Sequence, residues 1–438
     1  MPPDKDEQLL ALLRKKGSAS AQELASALGV SQPTVSRRIQ SAGDRLCKMG
    51  QTRATRYAAT RELPGVGRSV PMYRITEAGA CVPRGTLSPL TTGQHWDSGT
   101  DTLFEGLPPF AADMSPQGYL GRTFGVSHPD LPLPPRLADW SDDHGLIALA
   151  QRGEDCVGDL ILGTESLDRW FQRELVSVQR GDYPRLALGS ARERVGSSAG
   201  GDQPKFLTYR EGRHVLVKFA SQDPGEVAGR WRDLLVCESL ALSVLREAGL
   251  DAASAHWFDE GGHRFLEVER FDRVGERGRR GTLTLRALDN EYFGDAGPGT
   301  WTSLAPRLQQ ERLLPTEDAR RLRWLEVFGQ LIANTDRHFG NVSVFASGPP
   351  PYRLAPAYDM LPMAHAPSST VLVERDFQPK PPTAATLDVW AEAAHHASRF
   401  WKRAADEPAL SEGFREIARR CGERVETLRA RVAPQLGV

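Results

Sequence analysis

The sequence has 438 residues, 40% hydrophobic and 25% charged, and this length predicts two or three domains rather than one small core. No apolar run approaches the roughly 20 residues of a membrane span, and the five scattered cysteines show neither disulfide nor metal spacing. The polar N-terminus is unlike a signal peptide, so we expect a cytoplasmic protein with no membrane partner. The net charge of the whole chain is −1, but residues 1–80 are basic, with 13 basic and 7 acidic side chains. This excess of positive charge predicts that residues 1–80 bind a polyanion.

Residues 18–43 are predicted to form a helix-turn-helix. Ser20 and Glu23 have the spacing of a capping box, Gly29 supplies the turn, and Ser31 is predicted to cap the second helix. The exposed N-terminal end of that helix carries side chains that can reach base edges and phosphates in a major groove. These predicted DNA-binding residues are Gln32, Thr34, Ser36, Arg37 and Arg38.

The basic segment that follows, residues 51–76, is predicted to be the wing of a winged helix. Its pattern predicts two strands around a Pro-Gly turn, with arginines that touch the phosphate backbone. We assign Arg53 and Arg56 to DNA binding. The alternative is that residues 1–80 form a small helical module that docks on another protein through a solvated basic face.

A loop rich in glycine and serine, residues 196–201, precedes two predicted strands at 205–209 and 214–219. Glycines there let backbone N–H groups approach phosphates closely, and the second strand carries Lys218 in an apolar frame. Protein kinases cover and clamp ATP with this combination. The alternative is an ordinary loop and a lysine that points to water. The loop contains Gly196, Ser197, Ser198, Gly200 and Gly201.

An apolar helix that ends near Ile332 runs into a polar loop and then a strand at 342–345. Within this loop Asp336 precedes Asn341 by five residues. Protein kinases use the same spacing: the Asp orients and deprotonates the acceptor hydroxyl, and the Asn binds Mg²⁺. Ordinary turn formation is the alternative, but His338 adds a third polar side chain between two apolar elements, which favours a functional loop.

A second carboxylate follows a predicted hairpin strand at 352–354. Asp359 occupies the position of the metal-binding Asp of kinases, although the usual Phe-Gly is replaced by Met360 and Leu361. The order of glycine-rich loop, strand lysine, Asp-x4-Asn and a later Asp indicates an ATP- and Mg²⁺-dependent phosphotransferase.

Four segments resemble the signature motifs of the HipA family of bacterial serine/threonine kinases, the toxins of HipA–HipB toxin–antitoxin systems. They are SSAGGDQPKF, VERFDR, TDRHFGN and PAYDM. The resemblance covers roughly residues 85–435, and the fused helix-turn-helix makes the chain most similar to the YjjJ branch. It implies an α+β, bilobal protein-kinase-like fold behind the small winged helix-turn-helix domain, with ATP and Mg²⁺ as cofactors.

The resemblance also implies a role for each matching residue. Asp336 would be the catalytic base, while Asn341 and Asp359 would hold Mg²⁺. Lys218 would contact the α- and β-phosphates of ATP, and His338 would lie beside the nucleotide.

Two further implications concern the hinge and the loop. Backbone groups from Glu269 to Phe271 would bind adenine, and Ser197 falls where the family has its autophosphorylated serine. Ser198 competes for that role because the loop is one residue longer than the family's shorter form. Phosphorylation there would repel the bound triphosphate and switch the enzyme off. The ATP-binding residues of the loop would be Ser198, Gly200 and Gly201.

Glu238 lies on a predicted helix after the lysine strand, and two interpretations of it stay open. It could pair with Lys218 inside the fold, or it could be an exposed helix carboxylate.

These predictions divide the chain into a winged helix-turn-helix domain at 1–80, a kinase N-lobe at 81–271 and a mainly helical kinase C-lobe at 272–438. The predicted function is that of a HipA-type serine/threonine protein kinase that autophosphorylates and represses its own operon. The protein substrate is open: the family's known acceptor, glutamyl-tRNA synthetase, suggests a translation-related protein, but no ATP-site motif implies it. A homodimer is compatible with the helix-turn-helix, since such proteins usually read two half-sites.

Two alternatives to this function remain. One is a DNA-binding transcription regulator whose kinase-like domain only senses a nucleotide or ligand. The other is a kinase of the same fold that phosphorylates a small molecule.

Overall fold

The computed structural model describes residues 5–192, 203–294, 299–368, 371–373 and 375–436. The chain forms two compact units. The first comprises Met1–Gln117 with Phe124–Glu174, and the second comprises Gly118–Thr123 with Leu175–Val438. Among the described helices, none combines the length and the hydropathy that crossing a lipid bilayer requires.

The first unit opens with a helix-turn-helix whose capping box and turn agree with the prediction, whereas Ser31 stands at the start of the second helix without a capping bond from its side chain. Ser20 Oγ accepts the backbone N–H of Glu23 at 3.2 Å, and Glu23 Oε2 accepts that of Ser20 at 2.7 Å. Gly29 ends the first of the two helices at φ 65°, a left-handed conformation that suits a residue without Cβ. The elements are α1 (Lys5–Lys16), β1 (Ser18–Ala19), α2 (Ala21–Leu28), α3 (Gln32–Ala42), β2 (Leu46–Met49) and β3 (Arg56–Ala59).

The rest of the first unit is built on a five-stranded antiparallel sheet. Its elements are β4 (Val70–Ile75), β5 (Cys81–Pro89), β6 (His95–Asp97), β7 (Thr102–Phe104), α4 (Pro109–Met114), α5 (Gly118–Ser127), α6 (Asp142–Arg152), β8 (Leu160–Leu162) and α7 (Thr164–Gln172). The strand order is β7-β6-β5-β4-β8. Buried side chains of β4 and β8 pack against α6 through Leu146 and Leu149. Residues 118–123 of α5 belong to the second unit.

The predicted wing is wrong in its second strand. Of the segment 51–76, only β3 joins the helix-turn-helix, where it pairs with β1 and β2. β4 pairs instead with β5 and β8, because its alternating buried side chains, Val70 and Met72, need the apolar core of the larger sheet. The basic hairpin is therefore β2–β3. The predicted boundary at residue 80 falls between β4 and β5, which are paired strands of one sheet.

The second unit begins with an antiparallel sheet between two helices. The elements are α8 (Tyr183–Arg192), β9 (Lys205–Arg210), β10 (Arg213–Ser221), α9 (Glu226–Glu247), β11 (Ala255–Glu260) and β12 (His263–Glu269), and the strand order is β11-β12-β10-β9. Val217 and Phe265 pack with Tyr183 of α8 on one face, whereas Ala220 and Leu266 pack with α9 on the other. The predicted N-lobe began at residue 81, but residues 81–117 and 124–174 group with the first unit.

The remainder of the second unit is mainly helical and surrounds a large core that contains Trp301, Trp324, Phe328 and Trp401. Its elements are β13 (Arg273–Val274), β14 (Gly278–Arg279), β15 (Thr282–Thr284), α10 (Leu285–Tyr292), α11 (Trp301–Gln310), α12 (Thr316–Leu331), β16 (Ser343–Phe345), β17 (Arg353–Leu354), α13 (Leu387–Asp406) and α14 (Glu412–Leu436). The small sheet β15-β16-β17 carries the loops that hold the predicted catalytic residues. This α+β, two-lobed arrangement agrees with the predicted fold class.

Candidate active site

Lys218 lies in the centre of the four-stranded sheet of the second unit. On β10 it is opposite Lys205 of β9 and Leu266 of β12. Because side chains alternate along a strand, Lys218 points to the same face as Ala220, which is the face that α9 covers. Only 6% of Lys218 is exposed, so its ammonium group needs partners within the protein.

Glu238 of α9 is one of these partners. Both of its carboxylate oxygens accept hydrogen bonds from Lys218 Nζ at 2.7 Å, and Glu238 is fully buried. The structure therefore decides between the two interpretations of this residue, in favour of the ion pair. Burial raises the pKa of Glu238 above its usual value, although the charge of Lys218 opposes the shift.

Asp359 is the second carboxylate at Lys218, and one of its oxygens bonds Lys218 Nζ. Its backbone has φ 51°, which is uncommon for a residue with a side chain. Burial would raise the pKa of Asp359, but Lys218 and Lys205 bring it below its usual value. Burial would likewise lower the pKa of Lys218, but Asp359 and Glu238 bring it above its usual value. Lys218 and Asp359 are therefore both ionised at neutral pH.

Asn334 joins the two loops of the site, and the sequence analysis missed it. This residue is 1% exposed. Its Oδ1 accepts the backbone N–H of Asp336 at 2.9 Å, and its Nδ2 donates to the carbonyl of Asp359 at 3.4 Å. The available signal was an asparagine directly after an apolar helix, because Asn side chains close turns by bonding the backbone two residues later.

The three predicted polar residues of the catalytic loop lie together. Asn341 Nδ2 donates to the backbone carbonyl of Asp336 at 2.8 Å and to its Oδ2 at 3.3 Å. His338 Nε2 lies 3.6 Å from Asp336 Oδ1. The side chains of Asp336 and His338 are 51% and 47% exposed, so an acceptor can reach them. Since the amide nitrogen of Asn341 is engaged with Asp336, its side-chain carbonyl oxygen is the atom left to accept other contacts.

The predicted hinge lies at the end of β12. The N–H of Glu269 donates to the carbonyl of Ser254 at 2.9 Å, so the Glu269 backbone could offer adenine only its carbonyl. The ring of Phe271 lies 5.7 Å from that of Tyr358, the residue before Asp359, and 6.0 Å from that of Phe345. Phe271 therefore connects the hinge to the loops of the site.

Three segments of the chain match known protein families. Residues 4–41 match an AsnC-type helix-turn-helix domain, residues 66–171 the middle domain of YjjJ-like toxins, and residues 197–429 a HipA-like C-terminal domain. The toxin YjjJ of Escherichia coli (strain K12) is 35% identical over 440 residues, which cover 95% of this chain and 97% of that protein. The chain belongs to the YjjJ-like toxins of the HipA family.

The fold agrees with this membership. HipA of Shewanella oneidensis MR-1, solved with HipB and operator DNA, matches with a TM-score of 0.50 at 16% identity, covering 83% of this chain and 97% of that one. This HipA-family chain therefore carries a helix-turn-helix DNA-binding domain in front of a HipA-like kinase domain, and a kinase domain implies the use of ATP.

The glycine-rich loop predicted at residues 196–201 lies outside the described residues. The predicted residues that lie there are Ser197, Ser198, Gly200 and Gly201. The two flanks of the loop are described and are linked: Ser190 Oγ donates to the carbonyl of Lys205 at 3.4 Å, and the carbonyl of Ser190 accepts the hydroxyl of Tyr119 at 3.0 Å. Both ends of the loop are therefore held beside β9.

The predicted DNA-binding residues lie on the surface of the helix-turn-helix. Gln32, Ser36, Arg37 and Arg53 are exposed, while Thr34 and Arg38 are partly exposed. Arg56 differs, because its guanidinium group donates to Ser18 Oγ at 3.0 Å and to the Ser18 carbonyl at 2.9 Å, and it lies 3.5 Å from Glu23. Arg56 therefore fastens β3 to the start of α2 as well as presenting a charge.

Proposed function

We propose that this HipA-family chain is an Mg²⁺-dependent serine/threonine protein kinase that transfers the γ-phosphoryl group of ATP. One observation carries the proposal: a buried lysine held by two carboxylates shares a site with an exposed Asp–Asn pair. Four residues of this site match the kinase combination of phosphate-binding Lys, acceptor-orienting Asp and two oxygen ligands for metal. The residues are Lys218, Asp336, Asn341 and Asp359.

Lys218 would hold the α- and β-phosphates. Its ammonium group has three N–H donors, and the contacts with Glu238 and Asp359 engage it. Glu238 is fully buried, whereas the side chain of Asp359 is 32% exposed. The N–H of Lys218 that bonds Asp359 could therefore bind a phosphate oxygen instead, while the bonds to Glu238 keep the lysine in place.

The oxygen donors of the site fit a magnesium ion. The carboxylate of Asp359 and the amide carbonyl of Asn341 are hard oxygen ligands of the kind that Mg²⁺ prefers. Asn341 directs its amide nitrogen at Asp336, which keeps its carbonyl oxygen for a cation. Bound there, Mg²⁺ would neutralise the negative charge of the β- and γ-phosphates.

Asp336 would orient the hydroxyl of a serine or threonine and accept its proton. Asn334 holds the backbone N–H of Asp336, and Asn341 holds its carbonyl and Oδ2. A carboxylate placed this firmly can align the hydroxyl with the γ-phosphorus, and such positioning supplies a large part of catalysis in phosphoryl transfer. His338, predicted beside the nucleotide, contacts the same carboxylate.

We also propose that the enzyme phosphorylates its own loop at Ser197 or Ser198 and thereby lowers its activity. The test is the intact mass before and after incubation with Mg-ATP, for wild type and for Asp336→Ala, after phosphatase treatment of both. We expect a gain of one phosphate in wild type alone, mapped to one of these serines. Two unchanged masses would contradict the kinase proposal and favour a regulator that only senses a nucleotide.

A last part of the proposal is that the DNA-binding domain lets the protein repress its own operon. The exposed side chains of α3 and the net charge of +6 in residues 1–80 support it. In a gel mobility-shift experiment, full-length protein is expected to bind the DNA upstream of its own gene. It should bind unrelated DNA of the same length only at lower salt. Equal shifts of the two fragments at every salt concentration would contradict it.

A further inference from the structure

We propose that Arg286 is a specificity-determining residue that binds an anionic group next to the acceptor hydroxyl. The proposal rests on the kinase function above. Arg286 is the second residue of α10 and is exposed. Its Nη2 lies 3.4 Å from Nδ1 of His338, the residue whose other ring nitrogen faces the Asp336 carboxylate.

The hydrogen bonds of His338 identify its tautomer. Its Nδ1 accepts the backbone N–H of Gly340 at 3.0 Å, and the guanidinium group of Arg286 can only donate. Nδ1 therefore carries the lone pair, and Nε2 of the neutral ring carries the proton, directed at Asp336 Oδ1. Arg286 and Asp336 thus lie on opposite sides of one imidazole ring.

Arg286 lacks a compensating charge within the described part of the chain. No described carboxylate lies within ion-pair distance of it, and its polar contact is with a neutral ring. Many other arginines of the second unit pair with carboxylates, for example Arg323 with Asp388 and Arg403 with Glu247. A guanidinium group is a rigid fork that matches carboxylate and phosphate oxygens. Arg286 therefore keeps donors for an anion that arrives with a ligand.

The two oxygens of Asp336 indicate that this ligand is the acceptor. Oδ2 faces Asn341, the predicted metal ligand, whereas Oδ1 faces His338, whose other ring nitrogen lies beside Arg286. Metal and nucleotide phosphates would lie on the Asn341 side of the carboxylate, and the ring of His338, predicted beside the nucleotide, would separate them from Arg286. A residue next to the acceptor serine or threonine could bring its own anionic side chain there.

Gly340 makes room for this arrangement. A Cβ at this position would lie 3.0 Å from the His338 ring and 3.4 Å from Arg286 Nη2. Any side chain there would push the imidazole ring and the guanidinium group apart. The glycine thus permits the close approach of the loop, the imidazole ring and the guanidinium group on which the proposed anion site depends.

The test uses full-length protein and pools of peptides with one serine or threonine. Each pool fixes one flanking position as Glu, phosphoserine, Gln or Lys. Wild type is expected to phosphorylate the anionic pools about 10-fold faster than the Gln pool at one position, as a charge-assisted hydrogen bond would produce. Arg286→Gln should lose this preference, and Arg286→Glu should prefer Lys at the same position. Glu and phosphoserine pools distinguish the two sources of the anion.

Arg431→Glu is the matched control, because it makes the same charge change at an exposed residue of α14. An anion preference that is absent from wild type, or unchanged in Arg286→Glu, would overturn the proposal. A higher KM for ATP with unchanged peptide preference would also overturn it, since Arg286 would then act on the nucleotide. Phosphate on the protein itself but on no pool overturns this inference alone. No Asp336-dependent phosphate transfer at all overturns the kinase function as well.

Discussion

Two groups of charged residues in the same site have opposite surroundings. Lys218 and Glu238 are buried and bind each other, whereas Asp336 and His338 are half exposed and are held mainly through the backbone and through Asn341. A buried charge is stable only while its partner is present, but an exposed carboxylate is solvated with or without one. The first group should therefore affect both stability and chemistry, and the second chemistry alone.

The largest expected effect is that of Glu238→Ala. This change leaves the buried ammonium group of Lys218 with Asp359 alone, and breaking a buried pair costs about 3–5 kcal/mol of unfolding free energy. Phosphate transfer should fall too, because Lys218 loses its support. Urea unfolding measures the first quantity. Glu317→Ala is the control, since this exposed residue pairs with Arg321 along its own helix. If Glu238→Ala lowered the unfolding free energy no more than Glu317→Ala does, the proposed difference in stability between the buried and the exposed charges would be contradicted.

Asp336→Asn should separate chemistry from stability. Loss of a general base lowers the transfer rate by about 10²–10⁴-fold, whereas an exposed substitution changes the unfolding free energy by about 0.5 kcal/mol or less. Phosphate incorporation and urea unfolding should be measured on one preparation, with the exposed Asp406→Asn as control. Transfer at the wild-type rate would exclude Asp336 as the base.

His365 extends the comparison to a buried group whose charged neighbours among the described residues are arginines. Burial lowers its pKa to about 4, helped by Arg230 and Arg420. His365 takes up a proton near pH 6.5 in the unfolded chain but only near pH 4 in the folded chain. The free energy of unfolding therefore falls by about 3 kcal/mol as the pH decreases from about 6.5 to 4. His365→Phe should flatten this part of the pH profile of unfolding, and the exposed His395→Asn should not. An unchanged slope in His365→Phe would contradict the prediction.

The smallest expected effect concerns exposed cations of the DNA-binding domain. Arg37 is exposed on α3, whereas Arg45 pairs with Asp6 and Glu7. A plot of the logarithm of the DNA association constant against the logarithm of salt concentration has a slope that reports phosphate contacts. Arg37→Ala should reduce the magnitude of this slope by about 1, the value for one lost phosphate contact. Arg45→Gln should leave the slope unchanged. Fluorescence anisotropy with labelled upstream DNA measures both, and equal slopes for wild type and Arg37→Ala would assign α3 to another role.

The parts of the site that could be predicted are those encoded over short distances. Asp336 and Asn341 are five residues apart in one loop, so their proximity follows from chain geometry. The capping box at Ser20 and Glu23 is equally local. Asn334 was also within reach, since its bond to Asp336 spans two residues, but its second contact with Asp359 depends on a different loop.

The errors came from strand pairing over long distances. The wing prediction placed the strand that begins at Val70 beside β3, but the neighbours of β4 are β5 and β8, and β8 lies some ninety residues further along the chain. Alternation of buried side chains indicates that a strand has a covered face. The alternation does not indicate which sheet the strand joins.

The sequence by itself determined the family, the fold class and the order of the chemical groups, because each depends on short motifs and their spacing. The tertiary structure decided that Glu238 is buried against Lys218, that Asn334 connects two loops and that Arg286 lies beside His338. The physical reason is that helical and strand periodicity identify the apolar side of an element. Which polar side chains meet across the interior depends on packing between elements that are distant in sequence.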